Sequence, residues 1–589
     1  MFIDLTLQSV QEEPIPEAVT RTFLGGKGLG SFLLLRHNAP QVDPLSPQNC
    51  LIFATGCGTD TPLPGSSRYG VYTKSPQTGI YSESYSGGKI AQAFSRTGYD
   101  AVVVKGASEQ PVFLEIFEGG ARIRPAERFW GMETYQAEDS LKQAVKQKGA
   151  GVLVIGPAGE NQVRFAILAT DYWRSAGRTG AGAILGAKKV KGIIFHGNQR
   201  RPVFNERELK AFGKEILLKV REDPRVKSLK KFGTSSLVSI MNVIGGFPTR
   251  YWSEGSLEGW EEISAESLLE RCHVESRSCP MCSLECGKVA TVKKGKYGGI
   301  KVGGPDYQTI NAFGGLCMIR SIEEIIYLND LCDRLGMDTI TAGNLCAFAI
   351  EASTRRAIPE KLEYGDVEGI AKLLRKIAFK EGIGLDLAEG IHFVAKKWGM
   401  EELAVHVKGL EPPGYDPRAL KGMGLAYAMA DRGACHSRSS LYIEELRGNL
   451  NVEKTEGKVH ELIDHEDRLT IFDSIILCRF YIDLIGWKEL GKILQLITGK
   501  SFKPPHLRRI AQSITNLVRQ YNVQEGVSKK DDFLPKRFFK ETLGKGKRLG
   551  TEEEFGQMVD EYYQARGWDA RGHPPPLPSK IAQNLIRDH

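Results

Sequence analysis

The chain has 589 residues, of which 79 are lysine or arginine and 71 are aspartate or glutamate, giving a formal net charge of +8. At roughly 150 residues per domain, this length predicts about three or four structural units. With 41% hydrophobic and 25% charged residues, the composition is that of a globular protein. It excludes a mostly disordered, collagen-like or disulfide-scaffold chain.

The sequence gives no indication of export or of a membrane span. The N-terminus lacks a basic segment followed by an apolar one, and no run of about 18 apolar residues occurs. The eleven cysteines are an odd number, which favours reduced thiols or metal ligands over disulfides. We therefore expect a cytoplasmic protein.

The charge distribution bears on the class of partner. Arginine and lysine do not cluster with interleaved aromatic residues, so we expect no nucleic-acid partner. A modest basic surface would instead suit an acidic protein partner.

The first 200 residues alternate short apolar runs with turns. Residues 51–54, 101–104 and 151–155 have strand length and strand composition. Between such runs, glycine and serine predict loops at residues 61–68, 85–88 and 174–178. Loops of this kind can bring backbone N–H groups close to an anionic ligand, although an ordinary turn between strands is the usual role of each one.

From about residue 205 the pattern becomes helical. Ser321 and Glu324 have the spacing of a capping box, and an amphipathic segment follows them. Residues 368–381, 489–498 and 505–521 also show helical periodicity, with Pro504 separating the last two. We predict an α+β fold with a β-rich domain over residues 1–203 and two mainly α-helical domains over 204–405 and 406–589.

Three cysteines form the sharpest local motif. Cys279, Cys282 and Cys286 have the spacing CxxCxxxC, which can turn three thiolates onto one iron–sulfur cluster or zinc ion. A [4Fe–4S] cluster is favoured, because structural zinc sites more often use two CxxC pairs; chance clustering of buried cysteines is the third possibility. The fourth ligand must come from elsewhere, and the candidates are Cys50, Cys57, Cys272, Cys317, Cys332, Cys346, Cys435 and Cys478.

Two acidic segments resemble each other. Asp333 stands five residues before Asp338, and Asp473 stands five residues before Cys478, with an apolar residue just before each final position. At a transition from helix to loop, such a segment could direct two side chains toward one ligand, and two copies suggest a ligand with two equivalent halves. Aspartates that merely cap helices are the alternative.

A histidine is the candidate acid–base group. His436 lies between Cys435 and Arg438 in a glycine-bearing stretch that follows the segment 415–418. Imidazole exchanges protons near neutral pH, so His436 could serve as proton donor or acceptor. A structural histidine is the alternative.

Together these features resemble the aldehyde ferredoxin oxidoreductase family, whose members carry a tungsten, occasionally molybdenum, bis-pyranopterin cofactor. The resemblance spans nearly the whole chain and keeps its motifs in order. They lie at residues 24–29, 43–47, 73–79, 156–161, 175–178, 304–307, 335–339, 415–418 and 534–538.

The resemblance implies a role for each motif. Asp333, Asp338, Asp473 and the backbone of Leu477 would hydrogen-bond the two pterins, and Arg68 would lie between cofactor and cluster. His436 would be the active-site histidine, and Arg438 stands where a cofactor-contacting lysine is common. The four ligands of one [4Fe–4S] cluster would be Cys279, Cys282, Cys286 and Cys478. The pterin phosphates, bridged by Mg²⁺, would be cradled by Tyr85, Ser86, Gly87, Arg174, Ser175, Gly177 and Arg178.

The implied reaction is the two-electron oxidation of a small aldehyde or related carbonyl substrate to the acid. Electrons would pass through the cluster to ferredoxin or an iron–sulfur subunit. His436 would accept a proton, because oxidation of an aldehyde to an acid releases protons.

Three positions depart from the family pattern. Gln308 replaces the family's catalytic glutamate, and an amide cannot exchange a proton as a carboxylate does. Residues 327–330 lack the Glu-x-x-His of members whose dimers share an iron, so we expect any homo- or hetero-oligomer to form without a bridging iron. Ile476 replaces a glycine of the second acidic segment.

Two other functions remain open from the sequence. One is a low-potential reductase like the family's benzoyl-CoA-reducing branch, which the exchange at Gln308 keeps possible. The other is an electron-transfer subunit that retains only the cluster. The three retained aspartates, Asp333, Asp338 and Asp473, count against the second, because without a pterin they have no evident purpose.

Overall fold

Two mixed β-sheets of six strands each form the N-terminal third of the chain. The computed structural model describes residues 1–577 and 579–585. Each of the two sheets consists of six strands that follow one another in the sequence. The first sheet contains β1 (Phe2–Asp4), β2 (Ser9–Gln11), β3 (Leu51–Ala54), β4 (Arg68–Lys74), β5 (Tyr81–Gly87) and β6 (Ala101–Lys105). The second contains β7 (Val112–Phe117), β8 (Gly120–Pro125), β9 (Gly151–Val154), β10 (Leu168–Thr170), β11 (Arg174–Ala176) and β12 (Val190–His196). A smaller antiparallel sheet follows, with β13 (Cys272–Arg277), β14 (Gly287–Val292) and β15 (Lys301–Gly303).

The two large sheets share one topology. The strand order is β2-β1-β6-β3-β4-β5 in the first and β8-β7-β12-β9-β10-β11 in the second. In each, the first and last strands in sequence pair in parallel, β1 with β6 and β7 with β12. Apolar side chains of both sheets form one core, in which the ring centroids of Phe53 and Phe195 are 6.3 Å apart. The region therefore packs two like units against each other.

The predicted loops at 85–88 and 174–178 are largely strands, and in this the prediction is wrong. Residues 85–87 end β5, and residues 174–176 form β11, each at the edge of its sheet. An edge strand is paired on one side only, so small polar residues and glycine are compatible with it. The two edges adjoin, and the backbone N–H of Lys89 donates to Asp171 Oδ2 at 2.6 Å.

Helices are the main regular structure of the remaining chain. In the N-terminal third they are α1 (Glu17–Phe23), α2 (Gly26–His37), α3 (Ile90–Ser95), α4 (Thr134–Val145), α5 (Pro157–Glu160) and α6 (Ala181–Ala187). Up to residue 405 they are α7 (Glu206–Glu222), α8 (Pro224–Phe232), α9 (Leu237–Val243), α10 (Ala265–Arg271), α11 (Tyr307–Ile310), α12 (Ile322–Leu335), α13 (Thr339–Thr354), α14 (Val367–Phe379), α15 (Ile383–Leu387) and α16 (Ile391–Lys397). The last are α17 (Lys421–Met429), α18 (Leu441–Leu446), α19 (Lys458–Ile475), α20 (Trp487–Thr498), α21 (Pro504–Gln524), α22 (Lys536–Lys540), α23 (Glu552–Arg566) and α24 (Ser579–Leu585).

The helix signals in the sequence have clear counterparts. The side chain of Ser321 caps α12 by accepting from the backbone N–H of Glu324. Pro504 occupies the first turn of α21, where the proline ring is tolerated because its missing N–H has no partner within the helix. The β-rich beginning followed by helical regions confirms the predicted α+β class. The domain boundaries at residues 203 and 405 stay predictions. None of the helices in the described part of the chain is long and apolar enough to cross a membrane.

Candidate functional site

The two acidic segments adopt the same local structure. Each begins at the last turn of a helix, α12 or α19, and leaves it through a residue in the left-handed region. That residue is Gly336 in the first segment, at φ 82°, and Ile476 in the second, at φ 60°. A β-branched residue in this region costs roughly 1–2 kcal/mol relative to glycine. The predicted transition from helix to loop is therefore present in both copies, with backbone strain in the second.

A buried network of charges surrounds the second segment. Arg438 binds Asp473 and also Glu83, with an Nη1–Oε1 distance of 2.9 Å. Lys27 lies 3.2 Å from the same Glu83 carboxylate and 2.7 Å from Asp431. The guanidinium of Arg438 also stacks over the Tyr85 ring, 5.0 Å from its centroid. Three residues predicted to contact the cofactor (Tyr85, Arg438 and Asp473) therefore lie together.

The network keeps one carboxylate charged. Burial disfavours the ionised form of Glu83, but Arg438, Lys27 and Arg432 outweigh burial and lower the pKa of that carboxyl to about 2. Burial raises the pKa of Asp473, and the charge of Glu83 raises it further, while Arg438 opposes the rise.

Arg68 links this network to the cysteines. Its Nη1 lies 3.8 Å from Cys478 Sγ at the end of the second segment. Burial opposes the charge of Arg68, but Cys478, Asp473 and Cys279 raise the pKa of the guanidinium. Arg68 therefore lies near both the cysteines and Asp473, and its predicted place between cluster and cofactor stays a prediction.

The CxxCxxxC motif lies in the loop between β13 and β14 and faces Cys478. Burial and the other cysteine thiols raise the pKa of Cys282, and burial raises the pKa of Cys286 to about 12. Cys282 Sγ is 3.4 Å from the hydroxyl of Tyr481, three residues after Cys478. Neighbouring cysteines, two of which have raised pKa values, are suited to a metal centre, because a bound metal stabilises the thiolate form.

The loop also contacts the edge of the first sheet. A Cβ atom added at Gly87 would stand 2.8 Å from Cys279 Sγ, so a side chain would displace the cysteine. At the edge of the second sheet, Arg174 is close enough to favour ionisation of the Cys286 thiol. The predicted cradle residues Ser86 and Ser175 belong to the same two strands, and Gly177 follows β11 directly.

Arg178 connects the first acidic segment with the segment that contains His436. Arg178 Nε donates to Asp338 Oδ2 at 3.2 Å, and Nη1 donates to the Ala434 carbonyl at 3.0 Å. Asp333 stays apart from this contact and accepts from Asn329 Nδ2 at 2.8 Å. Asp338 also caps α13, so the alternative interpretation of the acidic segments, aspartates that cap helices, applies to this residue.

Gln308 and His436 lie against one loop. The side-chain oxygen of Gln308 accepts from the backbone N–H of Gly414 at 2.8 Å. The next residue, Tyr415, has its ring centroid 6.0 Å from that of His436. Within residues 1–577 and 579–585, Nδ1 of His436 is a buried atom without a hydrogen-bond partner. The structure thus brings the two predicted catalytic side chains to the same region.

His436 is neutral at neutral pH. Burial lowers its pKa well below the ordinary value, and Arg479, Arg178, Arg432 and Arg438 lower it further. A neutral imidazole with a free ring nitrogen can accept a proton.

The sequence did not reveal four residues of this region. They are Lys27, Glu83, Arg432 and the buried carboxyl group of Glu411. For Lys27 the sequence did offer a signal, because a lysine inside the glycine-rich and otherwise apolar segment 24–29 is expected to be buried. Lys27 lies on a buried face of α2. Glu83, Arg432 and Glu411 have no local signal, because their importance arises from contacts with distant residues.

The donor set fits a large anionic cofactor. In the described part of the chain, the buried atoms Arg432 Nε, Arg438 Nε and Arg277 Nη1 have no hydrogen-bond partner. Such donors are rarely left unsatisfied in a folded protein, and a pterin or its phosphate supplies acceptors for them. A cavity of about 520 Å³ opens beside Arg277, Arg174 and Cys279.

Comparison with known proteins shows the family to which the chain belongs. Residues 1–197 match the N-terminal domain of aldehyde ferredoxin oxidoreductase, and residues 211–580 match its domains 2 and 3. The chain therefore belongs to the aldehyde ferredoxin oxidoreductase family of enzymes.

Several relatives match almost the full chain. A tungsten-containing aldehyde ferredoxin oxidoreductase of Pyrococcus furiosus is 34% identical and covers 97% of this chain and 96% of that protein. The enzyme of the same description from Thermococcus kodakarensis is also 34% identical with the same coverage. A WOR-like subunit of an aliphatic sulfonate oxidoreductase from P. furiosus is 29% identical, covering 97% of this chain and 94% of its own.

A solved structure shows the same fold. The active-site complex BamBC of benzoyl coenzyme A reductase, in complex with 1,5 dienoyl-CoA, superposes with a TM-score of 0.83. The match covers 99% of this chain and 96% of that one at 22% identity. At this identity the likeness establishes the architecture only.

Proposed function

We propose that this protein is a tungsten-dependent oxidoreductase that oxidises aldehydes to carboxylic acids and passes the electrons to ferredoxin or an iron–sulfur subunit. The observation that carries the proposal is the juxtaposition of two like acidic segments, a buried arginine network and four facing cysteines. The relatives at 34% identity are named for this chemistry. The structural likeness to a benzoyl-CoA reductase keeps a low-potential reductase as the second candidate.

Each part of the site has a proposed role. Asp333, Asp338, Asp473 and the Leu477 backbone would hold the two pterins, and Arg68 would stand between pterin and cluster. One [4Fe–4S] cluster would be held by Cys279, Cys282, Cys286 and Cys478. The two sheet edges would bind the pterin phosphates and their Mg²⁺. When bound, the tungsten centre supplies the two-electron redox step, and the free thiols of this chain suit a cytoplasmic setting.

The protein groups position the substrate and handle its protons. Oxidation of RCHO and H₂O to RCOOH releases two protons and two electrons. Neutral His436 accepts a proton at the free ring nitrogen, since its lowered pKa keeps it unprotonated at neutral pH. Gln308, whose oxygen is engaged by Gly414, can orient substrate or water through its amide N–H groups.

Metal content tests the proposal directly. Protein purified without oxygen should contain about one tungsten or molybdenum and about four iron atoms per chain. Iron at that level without tungsten or molybdenum, after expression in a host that makes the cofactor, would instead support an electron-transfer subunit. Zinc alone would contradict the cluster assignment.

The exchange at Gln308 gives a second prediction. The variant Gln308→Glu should raise aldehyde turnover about tenfold and add an acidic inflection to the pH profile, because a carboxylate restores a second proton acceptor. The steady-state kcat for an aldehyde panel at pH 5 to 9 measures both effects. Unchanged kcat and an unchanged pH profile would show that position 308 has no part in proton transfer. Gln512→Glu, on the partly buried face of α21, is the matched control for the added charge.

A further inference from the structure

A buried glutamate near the site has no role in the mechanism above. Glu411 is 1% exposed and stands three residues before Gly414, the residue that binds Gln308. Its Oε2 accepts from Gln77 Nε2 at 2.9 Å and from Thr341 Oγ1 at 3.0 Å. Its Oε1 is a buried atom without a partner among the residues that the structure describes.

Arg178 connects Glu411 with the first acidic segment and with the segment that contains His436. The guanidinium donates to the backbone carbonyl of Glu411 at 2.8 Å, and its Nη2 lies 4.0 Å from Oε2 of the same residue. The same arginine binds Asp338 and the Ala434 carbonyl, two residues before His436. The side chain of Arg178 therefore stands between Glu411 and Asp338 of the first acidic segment. It also stands between Glu411 and the backbone just before His436.

A polar route leads from Glu411 to solvent. Gln77 Oε1 and Thr78 Oγ1 are also buried and lack partners within the described ranges. Both residues line an open cleft of about 800 Å³, together with His392, His406 and other residues. Buried polar atoms without protein partners are commonly satisfied by ordered water. A short chain of water molecules would join Oε1 of Glu411 to the cleft.

From this arrangement we propose that Glu411 carries a proton from the buried site to the cleft, the task that Gln308 cannot perform as an amide. The inference rests on the proposed aldehyde oxidation, which releases two protons for each substrate. The carboxylate of Glu411 takes up one proton at Oε1 and releases it to water in the cleft. As the O–H bond forms at Oε1, an O–H bond of the donor, a water molecule of the buried site, breaks, and no electrons are transferred in this step.

The electrostatic surroundings are compatible with that role. Burial, and in smaller part the charge of Asp338, raise the pKa of Glu411 to about 7 against the opposing effect of Arg178. Tyr251, on the neighbouring segment, has a pKa raised by burial and in smaller part by Glu411. A carboxyl group with this pKa is about half protonated at neutral pH, so it can both accept and release a proton.

The decisive experiment compares Glu411→Gln with wild type. The variant should lower kcat on the order of 100-fold and remove an inflection near pH 7 from the kcat profile. Glu411→Asp keeps an exchangeable proton and should recover much of the loss. Glu351→Gln is the matched control, a buried glutamate of α13 bonded to Arg355 and Tyr364, and should keep kcat within about twofold.

A spectroscopic readout separates this inference from the proposed function. In infrared difference titration of the loaded enzyme, the C=O band of a buried carboxyl group should titrate near pH 7 and be absent in Glu411→Gln. If wild type holds tungsten and iron but oxidises no aldehyde, the proposed function fails while this titration still tests Glu411. A band that persists in the variant, or a fall in kcat with an unchanged pH profile, would overturn the proton-carrier role.

Discussion

Replacing His436 with asparagine should reduce kcat for aldehyde oxidation by on the order of 100-fold or more, with the metal content unchanged. Asparagine keeps a polar side chain at this position but removes the ring nitrogen that accepts the proton. Burial and four arginines keep His436 neutral near pH 7, so wild-type activity should not depend on its protonation in that range. Steady-state rates together with tungsten and iron analysis of the same preparation provide the measurement.

His465→Asn is the matched control for this variant. His465 is buried on α19, and burial lowers its pKa to about 4, but it is not among the residues of the site. Its replacement should leave kcat within about twofold for protein that retains its metals. Equal losses of kcat in both variants would point to general destabilisation and would contradict a specific role for His436.

The Cys478→Ala variant should lose most of its cluster iron, from about four atoms per chain to about one or fewer. Cys478 is the proposed ligand that lies outside the CxxCxxxC motif, and its thiol is near Arg68 and the other cysteines. With a ligand missing, the cluster loses one of its four iron–thiolate bonds and becomes labile. Iron analysis and electron paramagnetic resonance of the reduced protein measure the loss, and electron transfer to ferredoxin should fall with it.

Cys346→Ala supplies the comparison for the cluster prediction. Cys346 is a buried thiol in the middle of α13, away from the four candidate ligands. It should keep about four iron atoms per chain. Full iron content in Cys478→Ala would mean that another residue provides the fourth ligand.

The sequence alone determined the features that depend on near neighbours. The start of α12 followed from Ser321 and Glu324, because a cap is a contact over three residues. The cysteine motif and the two acidic segments could also be identified from the sequence, because the residues of each lie within one loop or at one helix end. The sequence predicts loops where the edge strands β5 and β11 lie, because glycine and serine occur both in loops and in edge strands.

Only the tertiary structure decided which charged residues share the buried site. Lys27, Glu83 and Asp473 come from three distant parts of the chain and meet where α2 packs against α19 and the first sheet. Glu411 likewise acquires its raised pKa from burial and from Asp338. Local sequence patterns encode periodicity and caps, whereas the energy of a buried charge depends on partners that long-range packing brings into contact.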